Sequence, residues 1–147
     1  MLRAERERED IIAKVIVNLC EYKKYKSIED MVEFGNVNID SVDHIGRTAL
    51  HTACINGDFN AVNFLIETCH SDTSIQDDYG NKPFHYAVVR GHIDIVRKYI
   101  NKIDIDEFMM NESKLKGHED MVNLLKLITK GIKCNTPDSE DESNLMR

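Results

Sequence analysis

The chain contains no tryptophan, only two prolines and no long apolar run. Its apolar stretches are short, like the one at residues 15–17, whereas a membrane-spanning helix needs roughly 20 consecutive apolar residues. Residues 3–10 mix acidic and basic side chains and do not resemble a signal peptide. We therefore expect a cytoplasmic or nuclear protein that does not span a membrane.

Cysteine and positive charge are scarce as well. The 4 cysteines are irregularly spaced and form no C-x-x-C pair, so we expect free thiols in a reducing compartment and no bound metal. The 19 Lys and Arg residues are outnumbered by 26 Asp and Glu residues, which gives a net charge of −7. This charge opposes binding to nucleic acid and to anionic membranes, so we expect neither as a partner.

The motifs of common enzymes are missing too. No P-loop, G-x-G-x-x-G, H-E-x-x-H or G-x-S-x-G segment occurs, which leaves phosphate, dinucleotide and hydrolase chemistry without its minimum parts. Cys69 is followed by His70, and an adjacent base can activate a thiol. Adjacent side chains rarely point at each other, however. We predict a non-enzymatic protein without a cofactor; a metal or thiol sensor that uses Cys69 and His70 is the alternative.

What the sequence does contain is an internal repeat. The segment at 43–57 recurs in the segment at 77–91. Seven pairs of identical residues share the same offset: Asp43/Asp77, Gly46/Gly80, His51/His85, Ala53/Ala87, Gly57/Gly91, Val62/Val96 and Ile66/Ile100. The offset is 34 residues in every pair, and a fixed period of about this length is typical of stacked repeat units.

Weaker copies flank the two clear ones. A shift back by one period places Ile16 under Leu50, and Gly117 matches Gly91 at a shorter offset, so the last unit keeps its helices but loses the turn before them. The predicted organisation is a charged lead-in at 1–8, a repeat domain at 9–130 with units at about 9–42, 43–76, 77–103 and 104–130, and a tail at 131–147.

Each unit has the pattern of two helices joined by a tight turn. Val62, Leu65 and Ile66 recur at i, i+3 and i+4, which predicts one buried helix face. Gly46 and Gly80 stand in short loops where the backbone is expected to need a positive φ. These signals predict an all-α fold.

The pattern D-x-x-G-x-T-x-L-H-x-A-x-x-x-G of residues 43–57 resembles the ankyrin repeat, which has a β-turn finger and two antiparallel helices. The resemblance covers roughly residues 9–130 and is strongest over 43–100. It implies an ankyrin repeat solenoid of helix-turn-helix units with short β-turn fingers. It also implies that Thr48 bonds His51 at a helix start, which Lys82 cannot do for His85.

The resemblance further implies a function, because ankyrin stacks bind other proteins through their finger tips and inner helices. The variable positions of the family correspond here to His44, Ile45, Arg47, Thr52, Ile55, Asn56, Asp78, Tyr79, Asn81, Tyr86, Val89 and Arg90. This set is rich in Tyr, Arg and branched apolar residues, as interface centres are. The alternative for Ile55 and Val89 is that they pack between repeats.

The expected role is that of an inhibitor or adaptor that occludes a partner's surface. The chain is similar to the inhibitors of NF-κB in having a repeat stack followed by an acidic tail that contains serines. It is similar to the ankyrin-type cyclin-dependent kinase inhibitors in its compact size, so a transcription factor or a kinase is the expected partner class. Ile, Asn and Lys supply 40 of 147 residues, as in AT-rich genes, which suggests a host-directed protein.

The tail carries one further signal. Ser139 and Ser143 are spaced like the serines of the D-S-G-x-x-S phosphodegron of NF-κB inhibitors, although Glu140 replaces the glycine. The acidic and unpatterned composition of residues 131–147 predicts a disordered tail that solvates the protein. Phosphorylation of the two serines is the sharper alternative.

Phosphorylation of both serines would add roughly three to four negative charges and create a site for an arginine-lined receptor. If Ser139 and Ser143 control turnover, replacing both with alanine should lengthen the half-life of the protein in cells, measured by a cycloheximide chase. Thr136→Ala, which removes a hydroxyl of the same segment, is the control. Equal half-lives for the double variant and the wild type would leave only the solvating tail.

Overall fold

The computed structural model describes residues 2–130, which fall into two compact units that meet in the sequence between Ile103 and Asp104. The first unit contains, in chain order, helices α1 (Arg3–Glu21), α2 (Tyr25–Phe34), α3 (Ala49–Asn56), α4 (Phe59–Asn63), α5 (Pro83–Val89) and α6 (Ile93–Lys98). The second contains α7 (Glu107–Leu115) and α8 (Glu119–Thr129). No strand occurs among the described residues, so the predicted all-α fold is confirmed.

Two short segments follow α4 and α6, which are the outer helices, that is the second helices, of their repeats. A π-helical turn at Phe64–Thr68 continues α4, and a 3-10 turn at Ile100–Lys102 follows α6. None of the helices in residues 2–130 combines the length and the hydropathy that crossing a membrane requires.

Helix α1 begins at Arg3 and includes residues 3–8 of the charged lead-in. Ion pairs at helical spacing support this start: Arg3 Nε lies 3.3 Å from Glu7 Oε2, and Lys14 Nζ lies 3.0 Å from Asp10 Oδ2. The lead-in therefore forms the N-terminal part of the first helix. The predicted tail, residues 131–147, lies outside the described residues.

Caps and glycines set the bounds of α3. Thr48 and His51 form a capping box at its start, as the resemblance implied, and Gly57 ends it with φ 71°. The loop glycines Gly46 and Gly80 both have φ 81°, which confirms the predicted positive φ. The bounds of α3 thus follow from local signals that are visible in the sequence.

The core of the first unit lies between the stacked helix pairs, where α3 contacts both α1 and α5. Ile16 and Leu50, which the repeat register superposes, are 0% and 1% exposed. Ala53 and Ala87 are buried at the crossings, where their small side chains let the helices approach closely. Burial raises the pKa of the Cys20 thiol to about 12, so this cysteine stays protonated and packs as an apolar side chain.

In the second unit, α7 and α8 form one helical pair. Asp106 caps α7 by accepting a hydrogen bond of 2.8 Å from the Met109 amide. The buried apolar side chains of these two helices are Met109, Met121, Val122, Leu124 and Leu125. The shortened last repeat therefore retains a complete helix pair.

The close contact at Ala87 yields a stability test. Ala87 is fully buried, so Ala87→Leu should overpack the α3–α5 contact and lower the free energy of unfolding by about 1 to 3 kcal/mol. Ala4→Leu adds the same atoms at an exposed position of α1 and should change it by less than about 0.5 kcal/mol. Urea denaturation of both variants measures the difference, and equal midpoints would contradict the packing argument.

Candidate functional site

The first finger, residues 43–47, is closed by its own aspartate. Asp43 Oδ1 accepts hydrogen bonds of 2.9 Å from the amides of Ile45 and Arg47. The Asp43 amide donates to the Arg47 carbonyl at 2.9 Å. The carboxylate thereby accepts hydrogen bonds from two loop amides that lack a backbone acceptor among the described residues, and it holds the loop in one conformation.

The second finger, residues 77–81, repeats this construction. Asp77 Oδ1 accepts bonds of 3.0 Å from the amides of Tyr79 and Asn81, and the Asp77 amide donates to the Asn81 carbonyl at 3.0 Å. The aspartates at the first position of both fingers therefore have the same structural role. Their recurrence at the same position of successive repeats follows from this local geometry.

A set of contacts joins the two fingers. The Asp78 amide donates to the Ile45 carbonyl at 2.9 Å. Arg47 Nε lies 3.3 Å from Asp77 Oδ2, and Arg47 Nη2 donates to the Tyr86 hydroxyl at 3.2 Å. The Tyr86 hydroxyl in turn donates to Asp77 Oδ2 at 2.5 Å. We call Arg47, Asp77 and Tyr86 the finger triad.

The charges of the finger triad stabilise each other. Burial opposes ionisation of Asp77, but the hydrogen bonds from Tyr86, from the Asn81 amide and from Arg47 outweigh it and hold the pKa of Asp77 below its usual value. Arg47 Cζ also lies 5.1 Å from the ring centroid of Tyr86 and 5.9 Å from that of Tyr79. The guanidinium of Arg47 therefore already has partners within the protein.

His51 connects the start of α3 to the second finger. The Thr48 amide donates to His51 Nδ1 at 3.1 Å, so Nε2 carries the ring hydrogen and donates it to the Asn81 carbonyl at 2.9 Å. The ring is fully buried, and burial lowers the pKa of His51. A neutral imidazole thus links the two repeats.

The structure sorts the predicted interface residues by exposure. The exposed ones are His44, Asn56, Asp78, Tyr79 and Arg90. The half-buried ones are Ile45, Arg47, Thr52, Ile55 and Asn81. Tyr86 and Val89 are buried, at 9% and 8% exposure, which corrects the expectation that they are accessible to a partner. Tyr86 is turned inward by its bond to Asp77, and the burial of Val89 favours the alternative that it packs between repeats.

Further contacts, which were not predicted from the sequence, tie the first repeat to the first finger. Glu9 Oε2 accepts from the Val42 amide at 3.1 Å, and Asp10 Oδ1 accepts from the His44 amide at 2.8 Å. The signal for them was present, because Glu9 and Asp10 stand one period before the first two residues of the finger. The two acidic residues at the start of the first repeat unit therefore hold one edge of the candidate surface.

The geometry disfavours the thiol sensor. Cys69 is half-buried, and burial, with Glu29 and Asp40 nearby, raises the pKa of its thiol to about 11. The protonated thiol that results is a poor nucleophile and a poor metal ligand. Within residues 2–130, no three His, Cys, Asp or Glu side chains come together in a way that could hold a metal ion.

Comparisons with known proteins agree with the repeat. The family model for ankyrin repeats in 3 copies matches residues 16–109. The liver isoform of mitochondrial glutaminase from Rattus norvegicus is 30% identical over 115 residues, which is 77% of this chain and 19% of that protein. The NAD-dependent deacetylase sir2B of Dictyostelium discoideum is 30% identical over 107 residues, 71% of this chain and 14% of that protein.

A third relative comes from the same organism. The 26S proteasome non-ATPase regulatory subunit 10 of Dictyostelium discoideum is 30% identical over 74 residues, which is 50% of this chain and 32% of that protein. The chain spans 32% or less of the length of each of these three relatives. The similarity therefore concerns the repeats and gives no ground for assigning the relatives' activities to this chain.

The buried imidazole gives a pH test. Because the pKa of His51 is lowered in the folded state, the unfolded chain takes up a proton below the ordinary value of 6.5 while the folded chain resists it. The stability that His51 contributes is therefore present above pH 6.5 and lost as pH falls below it. His51→Gln should be clearly destabilised at about pH 7.5, and the gap from wild type should narrow towards about pH 5.5.

Urea denaturation at both pH values measures this gap. His70→Gln, at an exposed histidine, is the matched control for the general effect of losing a histidine. A gap for His51→Gln that is equally wide at both pH values would show that the ring does not link the repeats as a neutral group.

Proposed function

Because the chain belongs to the ankyrin repeat family, we propose that it binds another protein through the two fingers and the inner helices α3 and α5. Ankyrin repeats are a protein–protein interaction module and typically a non-catalytic one. We call the surface made by the exposed and half-buried residues of residues 43–56 and 78–90 the finger surface. The proposal assigns partner binding to that surface.

The observation that carries the proposal is the state of Tyr79. Its side chain is 70% exposed, although its backbone is fixed by the Asp77 carboxylate and its ring lies beside Arg47. An aromatic residue on a rigid loop loses little conformational freedom on binding, so it is suited to anchor a partner. Arg90 is exposed at the end of α5 and supplies a second residue of the type that dominates interfaces.

We propose occlusion of the partner as the mode of action. The exposed groups of the finger surface are a phenol, a guanidinium, an imidazole, a carboxylate and an amide, which are contributed by Tyr79, Arg90, His44, Asp78 and Asn56. Such groups bind a protein surface and cover it. An inhibitor would need this surface alone, whereas an adaptor would need a second partner on another surface.

The proposed partner class follows from resemblance. The similarity to inhibitors of NF-κB favours a transcription factor, and the similarity to ankyrin-type cyclin-dependent kinase inhibitors favours a kinase. A role as an inhibitor directed at a host transcription factor is consistent with the high content of Ile, Asn and Lys. A cytoplasmic or nuclear location goes with either class.

The finger surface can be tested with a double variant. Tyr79→Ala/Arg90→Ala should abolish capture of the partners that the wild type captures from lysate, because anchor residues of these types contribute about 2 kcal/mol each to binding. Quantitative mass spectrometry measures the captured proteins. Helical circular dichroism should be unchanged, since both side chains are exposed.

The matched control is Phe34→Ala/Arg97→Ala. It removes an exposed aromatic residue at the end of α2 and an exposed arginine of α6, both on outer helices. This control should capture the same partners as the wild type. If Tyr79→Ala/Arg90→Ala also captures them undiminished, the finger surface is not the binding site.

A further inference from the structure

The second unit has a groove beside the turn that joins α7 to α8. Its volume is about 430 Å³, and its lining includes Ser113, Lys114, His118, Glu119 and Lys126. The groove lies outside the finger surface and has no role in the proposed function. We call it the α7–α8 groove.

Two buried polar atoms in the lining have no hydrogen-bond partner among the described residues. Ser113 is 0% exposed, and neither its Oγ nor Nδ1 of His118 is bonded. Buried polar atoms are almost always satisfied, so two orphans in one groove need an explanation. A ligand that brings hydrogen-bonding oxygens into the groove would supply the missing partners.

The equivalent turn at Gly57, in the unit at 43–76, shows what such a place can hold. At Gly57, a Cβ atom would lie 2.5 Å from Cε1 of His92, so the His92 ring fills that turn. At Gly117, none of the described residues has an atom within 4 Å of the same position. His92 also bonds the Ile55 carbonyl through Nε2 at 3.0 Å. The turn at Gly117 is open where its counterpart is occupied.

The charges of the groove favour an anionic ligand. Lys114 and Lys126 contribute two positive charges to the lining, and Glu119 contributes one negative charge. Helix α8 has 11 residues, and its N-cap residue His118 makes no side-chain cap bond. The positive end of that helix dipole therefore also faces the groove region and attracts carboxylates.

We propose that the acidic segment 138–142 of the same chain docks in the α7–α8 groove through contacts of its carboxylates with Lys114 and Lys126. The segment holds four carboxylates in its sequence Asp-Ser-Glu-Asp-Glu. Its charge is opposite to the net charge of the groove. Its oxygens are acceptors for the hydroxyl hydrogen of Ser113.

The length of chain permits this contact. The groove follows α8 from His118 to Lys126, and the whole helix of 11 residues is about 16 Å long. Residues 130–138 can span up to about 30 Å when extended, so the acidic segment reaches back along the helix without strain. Tethering also gives the segment an effective concentration on the order of millimolar, which suits a weak electrostatic contact.

The test uses the full-length chain and zero-length carbodiimide crosslinking, which joins a lysine to a carboxylate only when they touch. Peptide mass spectrometry should find Lys114 or Lys126 joined to residues 138–142. Lys114→Gln/Lys126→Gln removes both amines, so its readout is the amide resonances of residues 131–147, which should shift relative to the wild type. The matched control Lys116→Gln, at a lysine paired with Glu112 at 3.8 Å outside the lining, should leave crosslinks and resonances unchanged.

A second variant neutralises the tail and leaves the groove intact: Asp138→Asn, Glu140→Gln, Asp141→Asn and Glu142→Gln. The amide resonances of Gly117, His118 and Glu119 should shift between this variant and the wild type, and the difference should vanish in high salt because screening weakens exposed ion pairs severalfold. Identical groove resonances in the two proteins would overturn the proposal.

Two further outcomes would also overturn it. Crosslinks that join isotopically labelled to unlabelled chains in a mixture would mean that the tail of a second copy occupies the groove. Groove resonances that respond to added inorganic phosphate but not to neutralisation of the tail would mean that the ligand is a small anion. Crosslinks within one chain, together with resonance shifts caused by the tail, support the proposal.

Discussion

The arrangement of the two fingers depends on one buried carboxylate, that of Asp77. It is 5% exposed and accepts hydrogen bonds from the amides of Tyr79 and Asn81, from Arg47 and from the Tyr86 hydroxyl. A charge in that position is tolerated only when its lone pairs are satisfied. Asp77 therefore fixes the shape of its own finger and the position of the preceding one.

The contacts within the finger triad determine which side chains of the two fingers stay accessible to a partner. Arg47 and Tyr86 are of the residue types that often anchor interfaces, but here they bond to each other and to Asp77. Their engagement leaves Tyr79 exposed on a loop that is already ordered. The side chains that hold the two fingers together are therefore different from the side chain proposed to anchor a partner, and the cost of ordering the loop is met by folding.

The two units differ in what surrounds a turn glycine. In the first unit, the turn at Gly57 receives the His92 ring of the following repeat, so the contact between neighbours satisfies both. In the second unit, the turn at Gly117 is open, and polar atoms of Ser113 and His118 lie buried without partners in the described part of the chain. Buried polar atoms in an open turn need partners from elsewhere, which is the physical basis for assigning the acidic segment to the α7–α8 groove.

The sequence by itself determined the repeat, the helices and the turns, because these depend on local spacing. The repeat register aligned Ile16 with Leu50 in the core, and the glycines at 46 and 80 marked positive φ. What only the tertiary structure decided is which polar side chains point inward. Arg47 reaches residues 30 and 39 positions away, and nothing in its local pattern distinguishes that rotamer from one directed to solvent. The burial of Tyr86 depends on the same cluster, because a buried hydroxyl needs a hydrogen-bond acceptor and Asp77 provides one.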